Sequence, residues 1–128
     1  MIQPHVVHSI KRVPQDIVGH FRSLSSATVY EAGGGHGALS SRLKPIDCSM
    51  KVCGPAVTVQ VRPGDNLMLH KAIYVAHEGD VIVADAQGFT EAGAWGEVMA
   101  VAAQSRGLGG LVFNGAVRDT AELSLIHI

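Results

Sequence analysis

Arg118 and Asp119 stand side by side in the stretch FNGAVRDTAEL, directly after an apolar run and a glycine. A planar guanidinium placed there can grip a carboxylate or an enolate oxygen, and a neighbouring carboxylate can hold a hard cation. Upstream, AWGE (residues 94–97) reads as a turn that opens a helix. The first amides of a helix have no acceptor within it, so they form an anion site, and Gly96 lets a ligand come close to the main chain. Helix amides, an arginine and a metal-binding carboxylate together suit a small dicarboxylate or keto acid. Taken alone, each piece has a plainer reading. The dipeptide reads as a first-turn acid favouring the helix dipole beside a solvated arginine, Glu97 as another exposed first-turn acid, and Trp95 as a packing residue.

Two loops carry these residues, and the surrounding pattern says what holds them. PQDIVGHFRSL and SSATVYEAGGG read as short helices, the second capped by Ser25 or Ser26 and ended by the glycines from Gly33. MKVCGPAVTVQVRPGDN carries β-branched residues with period two, which is a strand with one wetter face. NLMLHKAIYVAHEGD then reads as a helix, DVIVAD as a buried strand, AWGEVMAVAAQSRGLGG as a helix, LVFNGAV as one strand and RDTAEL as the opening of a further helix. Alternating strands and helices imply right-handed crossovers and a mostly parallel sheet flanked by helices. The apolar runs VIVA and LVF point to strands buried on both faces. Ligands of such sheets sit at the carboxyl ends of the strands, where ADAQGFTEAGAWGE and NGAVRD lie.

Composition narrows the class. The chain has 128 residues, 47% hydrophobic and 16% charged, enough for one domain with its own core. Ten Lys and Arg against eleven Asp and Glu give a net charge of −1, and the aromatic set is three Phe, two Tyr and one Trp. Neither an electrostatic nor a stacking platform for nucleic acid results. The start, MIQPHVVHSIKR, has no basic segment followed by an apolar one, and no apolar run is long enough to span a bilayer, so a cytoplasmic protein is expected, without a membrane partner.

The remaining motifs read as structural. Cys48 and Cys53 are a lone pair without a second pair or an adjoining histidine, so they indicate neither zinc nor a disulfide framework. Histidines 5, 8, 20, 36, 70, 77 and 127 have no metal-binding spacing. AGGGHG is followed by no Lys-Ser or Lys-Thr and reads as a turn. GLGG precedes a strand and reads as a helix stop. No nucleophile elbow is present.

Several segments carry a resemblance in combination: TVYEA, GPAVTV, GDNLMLHKAI, GDVIVAD, WGEVMAVAAQSRGLGGLV and NGAVRDTAEL, together with the spacing of Glu97, twenty residues, Arg118, Asp119, two residues and Glu122. From about Thr28 to Leu123 the chain resembles the family of class II pyruvate aldolases that cleave 4-hydroxy-4-methyl-2-oxoglutarate and 4-carboxy-4-hydroxy-2-oxoadipate. That family also contains the regulator of ribonuclease E activity A. The resemblance implies an α/β fold with swivelling-domain-like α/β/α layers and a retro-aldol lyase of aromatic degradation that yields pyruvate from 4-hydroxy-2-oxo di- or tricarboxylates, with oxaloacetate decarboxylation as a side activity. It implies Asp119 as the direct ligand of Mg²⁺ or Mn²⁺, with Glu97 and Glu122 acting through metal-bound water. Arg118 would bind the keto or carboxylate oxygen and stabilise the enolate, and Gly96, Glu97, Val98 and Met99 would hold a carboxylate through backbone amides. The family's usual turn is Gly-Glu-Leu-Leu, so Val98 and Met99 are conservative departures.

Two alternatives stand beside the enzyme: a non-enzymatic binding protein that regulates a ribonuclease, and an inactive fragment. The regulator lacks the aspartate after the arginine, so Asp119 with Glu122 favours the enzyme. Family members form trimers or hexamers and continue further, with elements that complete the sheet, whereas LSLIHI does not resemble that continuation. The expectation is therefore one partial domain over 1–122, incomplete at its C-terminus, followed by a non-native tail over 123–128.

Overall fold

The computed structural model describes residues 5–125. Helices α1 (Gln15–Phe21) and α2 (Ser26–Ala32) lead in. Ser25 caps α2 as expected, its Oγ accepting the Thr28 N–H at 3.1 Å, and Gly33 closes the helix. There follow β1 (Ala56–Gln60), α3 (Leu67–Val75), β2 (Val81–Asp85), β3 (Gly93–Trp95), α4 (Glu97–Ser105), β4 (Gly110–Asn114), β5 (Ala116–Val117) and α5 (Thr120–Leu123). Strands β1, β2 and β4 form a parallel sheet in that order, flanked by helices, which is the expected α/β class.

Register explains the burial. Val57, Ile82 and Leu111 form one cross-strand row, and Val59, Ala84 and Phe113 another on the same face. That face meets α3, which packs on β1, β2 and α4, and its residues belong to one apolar cluster with Leu69, Ile73, Trp95, Met99 and Ala100. The opposite face carries Thr58, Val83 and Val112, then Gln60, Asp85 and Asn114. Full burial of both faces, expected from VIVA and LVF, does not hold: Val83 and residues 111–113 are half-buried, and Asp85 and Asn114 exposed. The segment around Leu39 and Leu43 borders that face and leaves a cavity of about 780 Å³.

A second departure matters more for the site. LVFNGAV is not one strand, because the chain bends at Gly115 and splits it into β4 and β5. A Cβ at position 115 would lie 2.7 Å from the Phe113 ring, so any side chain at that bend would displace the ring. Residues 93–95, read as part of a loop and turn, form β3 and pair in parallel with β5, Gly93 opposite Ala116 and Trp95 opposite Val117. Strands of two and three residues are too short to show a period in sequence.

The first residue of the expected tail, Leu123, is buried as the last residue of α5, while residues 126–128, including His127, lie outside the described residues. Both cysteines are free, and Cys53 Sγ donates to the Val18 carbonyl at 3.7 Å. Among the described residues no helix is long and apolar enough to cross a membrane.

One ionic contact ties the N-terminal segment to the sheet. Asp80, fully buried before β2, accepts from Arg12 Nε at 2.9 Å and Nη2 at 2.6 Å and from the His77 N–H at 2.8 Å. Burial alone would raise the Asp80 pKa, but the Arg12 hydrogen bonds, the His77 N–H and the guanidinium charge together hold it below the usual carboxylate value. Arg12 remains about one-fifth exposed. Its removal strands a buried carboxylate, whereas removal of the acid leaves a partly solvated guanidinium. We therefore expect Arg12→Ala to cost about 3–5 kcal/mol in urea unfolding and Asp80→Asn measurably less. Because the folded-state pKa is lowered, the pair's contribution is complete above about pH 4 and is lost as pH falls through the folded value. An acid titration of stability should show that loss in the wild type and not in Asp80→Asn.

Candidate functional site

The short β3–β5 pairing brings the two loops together. The Arg118 N–H donates to the Trp95 carbonyl at 2.8 Å, extending the ladder by one step. Asp119 then turns into the left-handed region, φ 56° and ψ 44°, as the N-cap of α5. Such a conformation is strained for a residue with a side chain and persists where the surroundings hold it. Here the Asp119 Oδ2 accepts the Glu97 N–H at 3.0 Å across twenty-two residues of chain. Arg118 Nε lies 3.7 Å from the same oxygen.

Gly96 is the reason this contact can form. Its backbone is extended, φ −147°, which any residue adopts, so its role is one of space. A Cβ at 96 would stand 2.5 Å from Asp119 Oδ2 and 2.7 Å from Arg118 Nε. The main chain of one loop thus runs directly under the side chains of the other.

Sequence had placed Arg118 and Asp119 at the end of a main-sheet strand. They stand instead at the end of β5, and none of the seven candidate residues lines the cavity over the main sheet. Gly96, Glu97, Arg118 and Asp119 are brought together. Of the four first-turn amides of α4, that of Glu97 is taken by Asp119 and that of Ala100 returns to the Gly96 carbonyl at 3.1 Å. Those of Val98 and Met99 have no acceptor within the helix. The Val98 side chain is exposed and that of Met99 buried in the core, so only their backbone can serve a ligand. Glu97 and Glu122 are exposed, and among the described residues no hydrogen bond or ion pair joins either side chain to Asp119. Trp95 is buried and packs in the core.

Sequence reasoning missed two features. The Arg12–Asp80 pair left no signal, since Asp80 in HEGD looks like any turn acid. The second is a tie at the carboxyl end of the main sheet, where Asp85 Oδ1 accepts from Asn114 Nδ2 and from the Gln87 N–H, both at 2.8 Å. An acid at a strand end followed by Ala-Gln-Gly was its visible trace.

The chain belongs to the RraA-like family, described as Aldolase/RraA, whose model matches residues 23–128. It is similar to a protein of Halalkalibacterium halodurans called "Putative 4-hydroxy-4-methyl-2-oxoglutarate aldolase", with 40% identity over 104 residues that cover 81% of this chain and 50% of that protein. Among solved structures it resembles the RNA-processing inhibitor RraA from Thermus thermophilis, with TM-score 0.74 and 26% identity over 83% of this chain and 64% of that one. It also resembles a protein of Geobacillus kaustophilus described as S-adenosylmethionine:2-dimethylmenaquinone methyltransferase, with TM-score 0.56 and 34% identity over 58% of this chain and 45% of that one. The chain spans about half the length of the curated relatives it matches. Their names differ in kind, so family membership alone does not select an activity.

Gly96→Ala isolates the geometry of the site from the fold. The colliding atoms are Asp119 Oδ2 and the Nε and inner Cγ of Arg118, all on exposed side chains that must turn aside, so we expect a local stability cost of about 1–2 kcal/mol. The added methyl should nonetheless push Asp119 from the Glu97 amide, seen as a shifted and faster-exchanging Glu97 N–H resonance while the amides of β1 and β2 are unchanged.

Proposed function

We propose that the chain carries the pyruvate-forming half-site of a divalent-metal-dependent aldolase acting on 4-hydroxy-2-oxo acids. The observation that supports it is the junction of Arg118 and Asp119 with the N-terminus of α4, made by the 3.0 Å contact from the Glu97 N–H to Asp119. The name of the Halalkalibacterium halodurans relative points to the same substrate class.

The residues present fit a Mg²⁺ or Mn²⁺ ion. Asp119 is partly exposed and keeps one carboxylate oxygen outside the Glu97 contact. No group of three His, Cys, Asp or Glu is assembled among the described residues, so the fit is to a hard cation that takes one carboxylate and keeps most of its waters. Glu97 and Glu122 are carboxylates on the flanking turns that would order such waters. When bound, the cation would draw electrons from the 2-keto group of the substrate.

The chain's own groups would divide the rest of the work. The Val98 and Met99 amides, at the positive end of α4, would hold the substrate C1 carboxylate and so fix the 2-keto oxygen toward Arg118. As the C4 hydroxyl gives its proton to an ordered water, the C4–O bond becomes a carbonyl, the C3–C4 bond breaks with its electron pair moving through C3–C2 to the C2 oxygen, and the C4 fragment leaves as a carbonyl product. Arg118, donating to that oxygen, would stabilise the charge as it develops and not in the ground state. Protonation at C3 then gives pyruvate. Loss of carbon dioxide from oxaloacetate develops the same charge at the same oxygen, so one site would serve both reactions. Lysine chemistry has no part in this reading, since none of Lys11, Lys44, Lys51 and Lys71 lies in either loop.

A second reading, a binding protein that regulates RNA processing, is favoured by the likeness to the Thermus structure. Pyruvate release from 4-hydroxy-4-methyl-2-oxoglutarate and from oxaloacetate, each with Mg²⁺ and with EDTA and corrected for metal-only breakdown, decides between them. The aldolase reading predicts metal-dependent turnover that Asp119→Ala abolishes and Arg118→Ala reduces about 10²–10³-fold. Turnover no greater than the metal blank in a folded sample rejects it for this chain.

A further inference from the structure

We infer that Asp85 and Asn114 are positioning residues whose side-chain pairing sets how the two site-bearing arms leave the main sheet. The importance of the site itself rests on the function proposed above; the geometry does not. Asp85 and Asn114 are the last pair of the β2–β4 ladder. Asp85 Oδ1 accepts from Asn114 Nδ2 and from the Gln87 N–H, both at 2.8 Å. In return the Asn114 carbonyl accepts the Ala86 N–H at 3.0 Å and the Gly88 N–H at 3.2 Å. Three hydrogen bonds thus join the two strands where both depart, one toward β3 and the other toward β5, and the Gln87 N–H to Asp85 bond braces the turn on the β2 side.

Departure is abrupt on both sides. Gln87 has φ 58°, a left-handed turn that a side chain disfavours and that the Asp85 carboxylate holds through the Gln87 amide. On the other side Gly115 bends against Phe113 and Ala86. Beyond these turns the arms meet again in only two registered pairs, with an irregularity between them. So short a two-stranded ribbon does not fix its own orientation; Trp95 and Val117 seat it on the core, and the strand exits set the direction from which its two arms arrive. The pair is also exposed, so it adds little to the core. Its loss should act locally, on the Glu97 N–H to Asp119 contact and on the Arg118 N–H to Trp95 contact, and not on global stability.

The test compares Asp85→Ala, Asn114→Ala and the reciprocal double variant Asp85→Asn with Asn114→Asp. In the double variant the amide at 85 can still accept from Gln87 and donate to the acid at 114. Amide hydrogen exchange is read at Glu97 and Arg118, with Val81, bonded to the Pro55 carbonyl at the far end of the sheet, as the internal control. Each alanine variant should speed exchange at Glu97 and Arg118 about tenfold with Val81 unchanged, and the reciprocal variant should restore protection. Unchanged exchange at Glu97 and Arg118 in both alanine variants overturns the inference. So does a folded reciprocal variant that exchanges as fast as they do. Should Asp85→Ala fail to fold, Asn114→Ala, which leaves the Gln87 turn intact, gives the same decision. Where the chain releases pyruvate, kcat should fall further than KM rises in the alanine variants. Changed exchange without pyruvate release in the wild type would keep the positioning role and reject the aldolase.

Discussion

The Asp119 carboxylate reaches from the exit of one strand to the Glu97 amide at the exit of another, and the residue between them in space, Gly96, has no volume for a side chain. Nearly everything particular to this site follows from that approach. It requires β3 and β5 to pair, since only then do residues 96 and 119 come within contact. It requires Asp119 in a left-handed conformation that a side chain pays for in strain, and the hydrogen bond from Glu97 is what holds it there. It also joins three chemically distinct groups, a carboxylate, a guanidinium and the positive end of a nine-residue helix, within one small surface.

The rest of the fold serves as a rigid base. The parallel sheet and the helices α3 and α4 share one apolar cluster, so the helix that presents the Val98 and Met99 amides is fixed through Met99, Ala100 and Ala103 in the core. Trp95 joins the same cluster, anchoring β3 from beneath. At the other end of the sheet, Arg12 and the buried Asp80 pin the N-terminal segment. Site residues can therefore stay exposed without being loose, because their backbones are held while their side chains face solvent.

Much of this was legible in the sequence, for physical reasons. Period-two β-branched residues marked β1, apolar runs marked β2 and β4, and Ser25 and Gly33 marked the ends of α2. The gathering of Gly96, Glu97, Arg118 and Asp119 followed from their places on consecutive loops. What escaped was non-local. Strands β3 and β5 are too short for periodicity and exist only because they meet each other, and the bend at Gly115 was invisible within an apolar run. The Arg12–Asp80 pair spans sixty-eight residues, and the Asp85–Asn114 tie appears only once the ladder register is known. Glu122 is known only from the family pattern, and among the described residues no side-chain hydrogen bond or ion pair joins it to the other candidates.

Asp119, presented beside the N-terminus of α4, is the proposed site of a hard cation. The most direct measurement is a Mn²⁺ titration of the isotope-labelled protein, following the paramagnetic broadening of its amide resonances. If Asp119 holds the ion, the amides of Glu97, Val98, Arg118 and Asp119 will broaden first, excess Mg²⁺ will reverse it, and Asp119→Ala will remove it while leaving the rest of the spectrum intact. Broadening centred elsewhere, or unchanged by Asp119→Ala, would contradict it.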